Sequence, residues 1–304
     1  MKIRLLIVLI IVAAAGRFLP AQVKMMDESD LEIKKLIEGF MMKDIVSSTV
    51  YRYDIDSGVV GTEAEKISKM ALDMNSRLFT VTELYPNYSK TVIKFNDNND
   101  IYDIGIYYAD NSLMSRVKTA YESDGKVKEK IYYFGNTYTF KIENKYSSGN
   151  LIRQEYTDSL GKIQNYSNLF YDNAGKVIEE DKYNSFDSLE ITYSYSYDGN
   201  GNCTEELMAY PSSKIILKTV KKYDSNNRIT EKMNYGAGEK ISSRNIYKYN
   251  ESGKLSEESI YSIDDKLTIK YEYFYDENGN KTSWKYTDAL EDIEYLYKIV
   301  YNEK

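Results

Sequence analysis

Histidine is absent from this chain, and cysteine and tryptophan occur once each. Without histidine there is no Ser-His-Asp triad, no Cys-His pair and no histidine-ligated zinc, and a lone cysteine forms no disulfide within the chain. Long apolar runs are also missing. The longest, Leu5 to Ala15, spans about 17 Å as a helix against a bilayer core of about 30 Å, so no permanent transmembrane helix is expected. That run follows Lys2 and Arg4 and leads to small residues ending at Ala21, the pattern of a secretory signal peptide over residues 1–21, cleaved after Ala15 or Ala21. Export to the periplasm, cell surface or medium follows. The formal charge of −7 becomes more negative once Lys2, Arg4 and Arg17 are removed, which opposes binding to nucleic acid or anionic lipid.

What the chain has in excess is tyrosine, 32 residues of it, and the tyrosines are periodic. Tyr171-Asp172, Tyr197-Asp198, Tyr223-Asp224, Tyr249-Asn250, Tyr275-Asp276 and Tyr301-Asn302 recur every 26 residues, and Tyr146, Tyr121 and Phe95 continue the series backwards with one shortened turn. The fourth residue after the tyrosine is Gly125, Gly175, Gly201, Gly253 or Gly279, with Asn99 and Asn227 as substitutes, all tolerant of positive φ. Tyr-Asp-x-x-Gly therefore reads as a hairpin tip: a type I turn closed by a left-handed residue, with Asp or Asn capping it. The stretches entering each tip alternate strictly, as in Leu189, Ile191, Tyr193, Tyr195 and Tyr197 against Glu190, Thr192, Ser194 and Ser196, which specifies strands.

Units of the form Tyr-Asp-x-x-Gly-[Lys/Asn/Arg]-x-x-Glu resemble the YD repeats, also called RHS repeats, over about residues 95–304. The resemblance implies a long antiparallel strip of hairpins, which in large secreted members of the family spirals into a shell around a toxin domain. No toxin-sized extension follows the repeats here. The expected fold is thus mainly β: tandem hairpins forming a long curved antiparallel sheet (95–304) behind a helix-containing cap with degenerate repeats (22–94). Within the cap, Ser29-x-x-Glu32 is a capping box that opens a helix from about Asp30 to Met42, and Thr62-x-x-Glu65 opens a second over 63–74. Leu72-Asp73 and Tyr53-Asp54 are competing, degenerate repeat starts.

The turn sets an expected register. Tyr197 opposes Cys203, which makes Cys203 a small core residue. Tyr195 then opposes Glu205, Tyr247 opposes Glu257 and Lys221 opposes Glu231. The glutamate column, Glu129, Glu179, Glu205, Glu231 and Glu257, suggests a carboxylate-dependent glycosidase, but one slot repeated in successive units is more simply structural, and no catalytic pair stands out. Asp276-x-Asn278-x-Asn280 imitates part of a calcium loop whose later ligands are missing, so neither metal nor cofactor is expected. Trp284, with Phe274 and Tyr286, is placed on the face opposite the tyrosines, as a platform for a sugar ring or a protein. The leading expectation is a non-enzymatic exported protein offering an extended binding or scaffolding surface to an envelope glycan or protein. An outer-membrane β-barrel is the alternative, and the glycosidase comes third.

Overall fold

The computed structural model describes residues 20–84 and 88–303, so the leader expected over 1–21 falls almost wholly outside the described residues. Among the described residues one helix, α1 (Pro20–Met42), precedes 21 strands. It begins earlier than expected, which puts the Ser29-x-x-Glu32 box inside the helix rather than at its start. No helix among the described residues is long and apolar enough to cross a membrane, which says nothing of strands.

The chain divides into two compact units, one of residues 20–50, 66–166 and 300–303 as far as they are described, the other of residues 51–65 and 167–299. In the first unit the strands are the amino-terminal half of β1 (Ile45–Asp56), β3 (Glu65–Asp73), β4 (Leu78–Glu83), β5 (Ser89–Phe95), β6 (Ile101–Tyr107), β7 (Leu113–Tyr121), β8 (Val127–Phe134), β9 (Thr137–Ser147), β10 (Asn150–Asp158) and the start of β11 (Ile163–Tyr171). From β3 to β10 each strand pairs antiparallel with the next. α1 lies on one face of this sheet. Ile33, Ile37 and Phe40, spaced by four and three, point to one side of the helix and are buried with Phe79, Ile93, Phe95, Ile104, Ile106 and Val117. The ring of Phe40 meets that of Phe79 edge-on at 5.2 Å, and Lys34 Nζ reaches Asp100 at 2.9 Å.

Residues 63–74 are not a helix. Glu65–Asp73 is β3, in register with β4 from Ser68↔Glu83 to Asp73↔Leu78. The spacing of Ile67, Met70, Ala71 and Met74 suits a helix, but the segment pairs with β1 on one side and β4 on the other, and tertiary pairing outweighs a weak local preference. At the turn that follows, Asp73 Oδ1 accepts from the N–H groups of Asn75 and Ser76.

In the second unit, β12 (Val177–Asn184), β13 (Leu189–Tyr197), β14 (Cys203–Tyr210), β15 (Ile215–Tyr223), β16 (Ile229–Tyr235), β17 (Ile241–Tyr249), β18 (Leu255–Tyr261), β19 (Leu267–Tyr275), β20 (Lys281–Asp288) and β21 (Ile293–Glu303) pair antiparallel in sequence order, and the two-residue β2 (Val59–Val60) pairs with β1.

All 21 strands belong to one sheet, and β1 pairs with both β3 and β21. The last long strand is thereby joined to the first, so the expected open curved sheet is corrected to a closed one, a barrel in its pairing. The physical reason is the edge. An open hairpin array leaves two rows of unpaired N–H and C=O groups, and mutual pairing of the end strands removes both.

The helix-on-sheet core of the first unit gives a direct test. Ile37→Ala should cost about 2–5 kcal/mol, because Ile37 is fully buried. Leu31→Ala, on the exposed side of α1, should stay within about 0.5 kcal/mol. Chemical denaturation followed by circular dichroism measures both, and equal effects would mean that the helix does not pack as described.

Candidate functional site

The repeating tyrosine-turn element is the structure's most regular feature, and its geometry decides what each sheet face can do. At each tip the backbone turns as its glycine requires: φ is +87° at Gly201, and Asn227 takes the same role at +60°. Around Asp198, the N–H of Asp198 donates to Asn202 O, the N–H of Gly201 donates to Asp198 O, and Asp198 Oδ1 accepts from the N–H groups of Asn200 and Asn202. The same Asx-capped loop recurs at Asp172 and Asp224.

Immediately after the turn comes a bulge. Tyr197 pairs with Cys203, but Ser196 pairs with Glu205, so Thr204 is an extra residue in its strand. Thr230, Ser256 and Thr282 are the corresponding extra residues in later units. The hydroxyls of Thr204, Thr230 and Thr282 donate back to the carbonyls of Ser196, Lys222 and Phe274.

One extra residue moves everything beyond it to the other face. Tyr195 therefore opposes Glu206 rather than Glu205, Tyr247 opposes Glu258 rather than Glu257, and Lys222 rather than Lys221 opposes Glu231. The glutamate column is thus parted from the tyrosines and lies on the opposite face as a belt of ion pairs. Glu231 is held by Lys222 at 2.6 Å and Arg244 at 2.7 Å, Glu257 by Lys248 at 2.8 Å and Lys270 at 3.3 Å. On the tyrosine face the slot is filled instead by Glu206, Lys232 and Glu258, and then by Trp284, which opposes Tyr273.

Trp284 is corrected by the same shift. It stands on the tyrosine face, its ring stacked on Tyr297 at 4.7 Å and 2°. Tyr286 lies on that face too, opposite Tyr271 and Tyr295. Phe274 pairs with Ser283 on the other face, half exposed, so the expected trio is not brought together. One face of the indole is occupied by Tyr297, which leaves less ring surface for a sugar than the sequence suggested. Cys203 faces Tyr197 as expected but is half-buried rather than core, with its Sγ 3.5 Å from Glu205 O. Asp276 uses its carboxylate within the turn, accepting from Asn280 N–H at 2.7 Å and from its amide at 3.0 Å.

Two contacts that sequence reading missed explain why the repeat needs tyrosine and a following cation. The phenols of six repeat tyrosines donate to the backbone carbonyl of the residue that opens the preceding return strand: Tyr121 to Ile101, Tyr146 to Val127, Tyr197 to Val177, Tyr223 to Cys203, Tyr249 to Ile229 and Tyr275 to Leu255, at 2.6–2.8 Å. Phenylalanine cannot supply that bond. The residue five after a tyrosine then lies over the next one in the series: Lys126 over Tyr146, Lys176 over Tyr197, Arg228 over Tyr249 and Lys254 over Tyr275, at 4.5–5.6 Å from the ring centre. The [Lys/Asn/Arg] position of the motif was the available signal.

No protein-family model matches the chain, and no curated protein matches it. Among solved structures it is similar to TcdB2-TccC3 without its hypervariable C-terminal region, at 11% identity and a TM-score of 0.34 over 76% of this chain, and it spans 16% of that chain's length. It is also similar to a porin-like protein from Bacteroides uniformis, at 7% identity and a TM-score of 0.39, covering 85% of this chain and 98% of that one. A porin-like protein from Bacteroides vulgatus gives 10% and 0.27, covering 62% and 94%.

Removing one phenol tests the staple. Tyr223→Phe should lower stability by about 1 kcal/mol, read as a reduced denaturation midpoint, since it strips a partner from the Cys203 carbonyl. An unchanged midpoint would show that this hydroxyl contributes nothing.

The turn carboxyls add a pH dependence. The Asn202 side chain and N–H hold Asp198 below the ordinary aspartate range, and Arg228 does the same for Asp224. Because these folded-state values are depressed, their contribution is present in full above the unfolded aspartate value of about 3.9 and is lost as pH falls through the lowered folded values. Replacing both with Asn should flatten the acid limb of a stability-against-pH curve, and an unaltered limb would remove these turns as its origin.

Proposed function

We propose that the protein is an exported, non-enzymatic β-barrel of the bacterial envelope, of the outer-membrane kind, built from YD-type hairpin repeats. The observation that carries this reading is the pairing of β1 with both β3 and β21. A closed antiparallel sheet is the one strand architecture that satisfies all its backbone groups in lipid, and eleven of the strands, nine to twelve residues long, have the length for it, whereas β4, β5, β6, β16 and β18, of six or seven residues, fall short. Closure also weakens the binding-ribbon reading, whose open edges would both be available to partners. In this arrangement the tyrosine face, which buries Ile191, Tyr193 and Tyr271 and in the first unit packs against α1, is turned away from the bilayer, and the face carrying the Glu231 and Glu257 ion pairs borders it. The leader expected over residues 1–21 supports export, and the Tyr-Asp-x-x-Gly periodicity supports membership of the YD-repeat family.

A second reading, a closed barrel bathed in water and binding through its surface, is favoured by one observation: the face opposite the buried tyrosines carries a column of ion pairs, Lys222 and Arg244 with Glu231 and Lys248 with Glu257. A lysine at the bilayer midplane costs about 2–4 kcal/mol, so this charge column is the main argument against the first reading.

Cell fractionation separates them. Retention in the outer-membrane fraction through a carbonate wash, with release only by detergent, is the expected result. Release by osmotic shock into plain buffer would replace the membrane-spanning reading with the second.

A further inference from the structure

Within the second unit, alternate hairpin connections lie at opposite ends of the sheet, and the two ends differ in polarity. The Tyr-Asp-x-x-Gly tips are polar: Gly199-Asn200, Ser225-Asn226, Glu251-Ser252 and Glu277-Asn278. At the other end, Phe186, Ile263 and Leu290 sit at the tips of the connections after β12, β18 and β20, and Val59 follows the β1–β2 turn. They are 83%, 60%, 70% and 70% exposed. Behind them runs a second apolar row. The first residue after each such connection is Leu189, Ile215, Ile241, Leu267 or Ile293, spaced by the 26-residue repeat, and all but Leu267 are exposed.

Single exposed apolar residues are ordinary on any protein. What calls for a cause is that three of the five connections at this end carry a large apolar tip, those after β14 and β16 being the other two, while none of the Tyr-Asp-x-x-Gly tips does, because a turn tip gains nothing in the folded monomer from leucine or phenylalanine. The polar tips at the opposite end show that this hairpin scaffold does not need them.

We infer that this apolar end of the second unit inserts into the surface of a lipid bilayer. The spacing selects the occupant. Ile263 and Leu290, on neighbouring hairpins, stand about 10 Å apart, two strand separations, and Phe186, three hairpins from Ile263, about 30 Å away, so the apolar tips are separate from one another. A protein partner needs a continuous complementary patch, whereas fluid acyl chains close around separate side chains. The charges nearby select the lipid: Asp187, Glu239, Asp264, Asp265, Glu291 and Asp292 outnumber Lys214, Lys240 and Lys266, so a zwitterionic headgroup fits and an anionic one does not. The inference does not depend on the strands spanning the bilayer. In a spanning barrel these tips prolong the apolar band at one interface, and in a barrel outside the membrane they are its only lipid contact.

The test places an environment-sensitive fluorophore on Phe186→Cys, and in a second protein on Ile263→Cys, both in a Cys203→Ser background, with Asn226→Cys at the polar end as control. With phosphatidylcholine vesicles, a blue shift at 186 and 263 and none at 226 is expected, and Leu290→Ser should weaken vesicle partitioning by about tenfold. No shift at either apolar tip, an equal shift at 226, or tip-dependent self-association without vesicle binding would overturn the inference. Osmotic release from cells would instead refute the membrane-spanning reading alone and leave the vesicle result standing.

Discussion

The extra residue beside each tyrosine turn is the constraint from which the rest of the sheet follows. A plain hairpin would carry the turn's register straight down both strands and leave tyrosine and glutamate side by side. The bulge at Thr204, Thr230 and Thr282 instead divides the repeat into two chemistries, rings on one face and ion pairs on the other. It also disturbs the ladder locally, and at that place the next tyrosine's hydroxyl meets a main-chain carbonyl and the next cation covers a ring. Each bond is worth only about 1 kcal/mol net, but a domain's whole stability is about 5–15 kcal/mol. A staple repeated six times is therefore a substantial share of what holds the hairpins in register.

Much of this was legible in the sequence. The 26-residue period, the strands and the tip at Gly201 follow from alternation and from the need for positive φ, both of which are local properties. The pairing of Tyr197 with Cys203 was also readable, since the turn fixes it. What lay beyond was hidden for a definite reason. Glu205 and Glu206 are both charged neighbours, and which of them faces Tyr195 depends on one backbone irregularity that a threonine neither requires nor forbids. Trp284 was assigned to the wrong face by the same single step. The segment from Glu65 to Asp73 was misread for a different cause: its apolar spacing fits a helix, and only the presence of β4 and β1 on either side makes the strand the better solution. Closure was equally invisible, because no local pattern records which distant strand an edge will meet.

The two faces bear on function together. The ion-paired face opposite the buried tyrosines is the feature that a membrane-spanning barrel tolerates least, whereas a closed sheet is what such a barrel requires. The apolar tips of the second unit add a third element, a lipid contact that involves neither face of the strands. Export and a lipid-facing end, as proposed above, both concern the envelope.

The bond from the Asn302 amide to the Ser47 hydroxyl, at 2.9 Å, joins positions 255 residues apart. Every other hairpin can zip onto its predecessor as the polypeptide emerges, because its partner is already there. β1 waits for β21, so the loop-closure entropy of nearly the entire chain falls on this final seam. Assembly is thus local and fast until its last step, and a truncated product lacking β21 would keep well-formed hairpins while leaving a sticky border on which aggregation could begin.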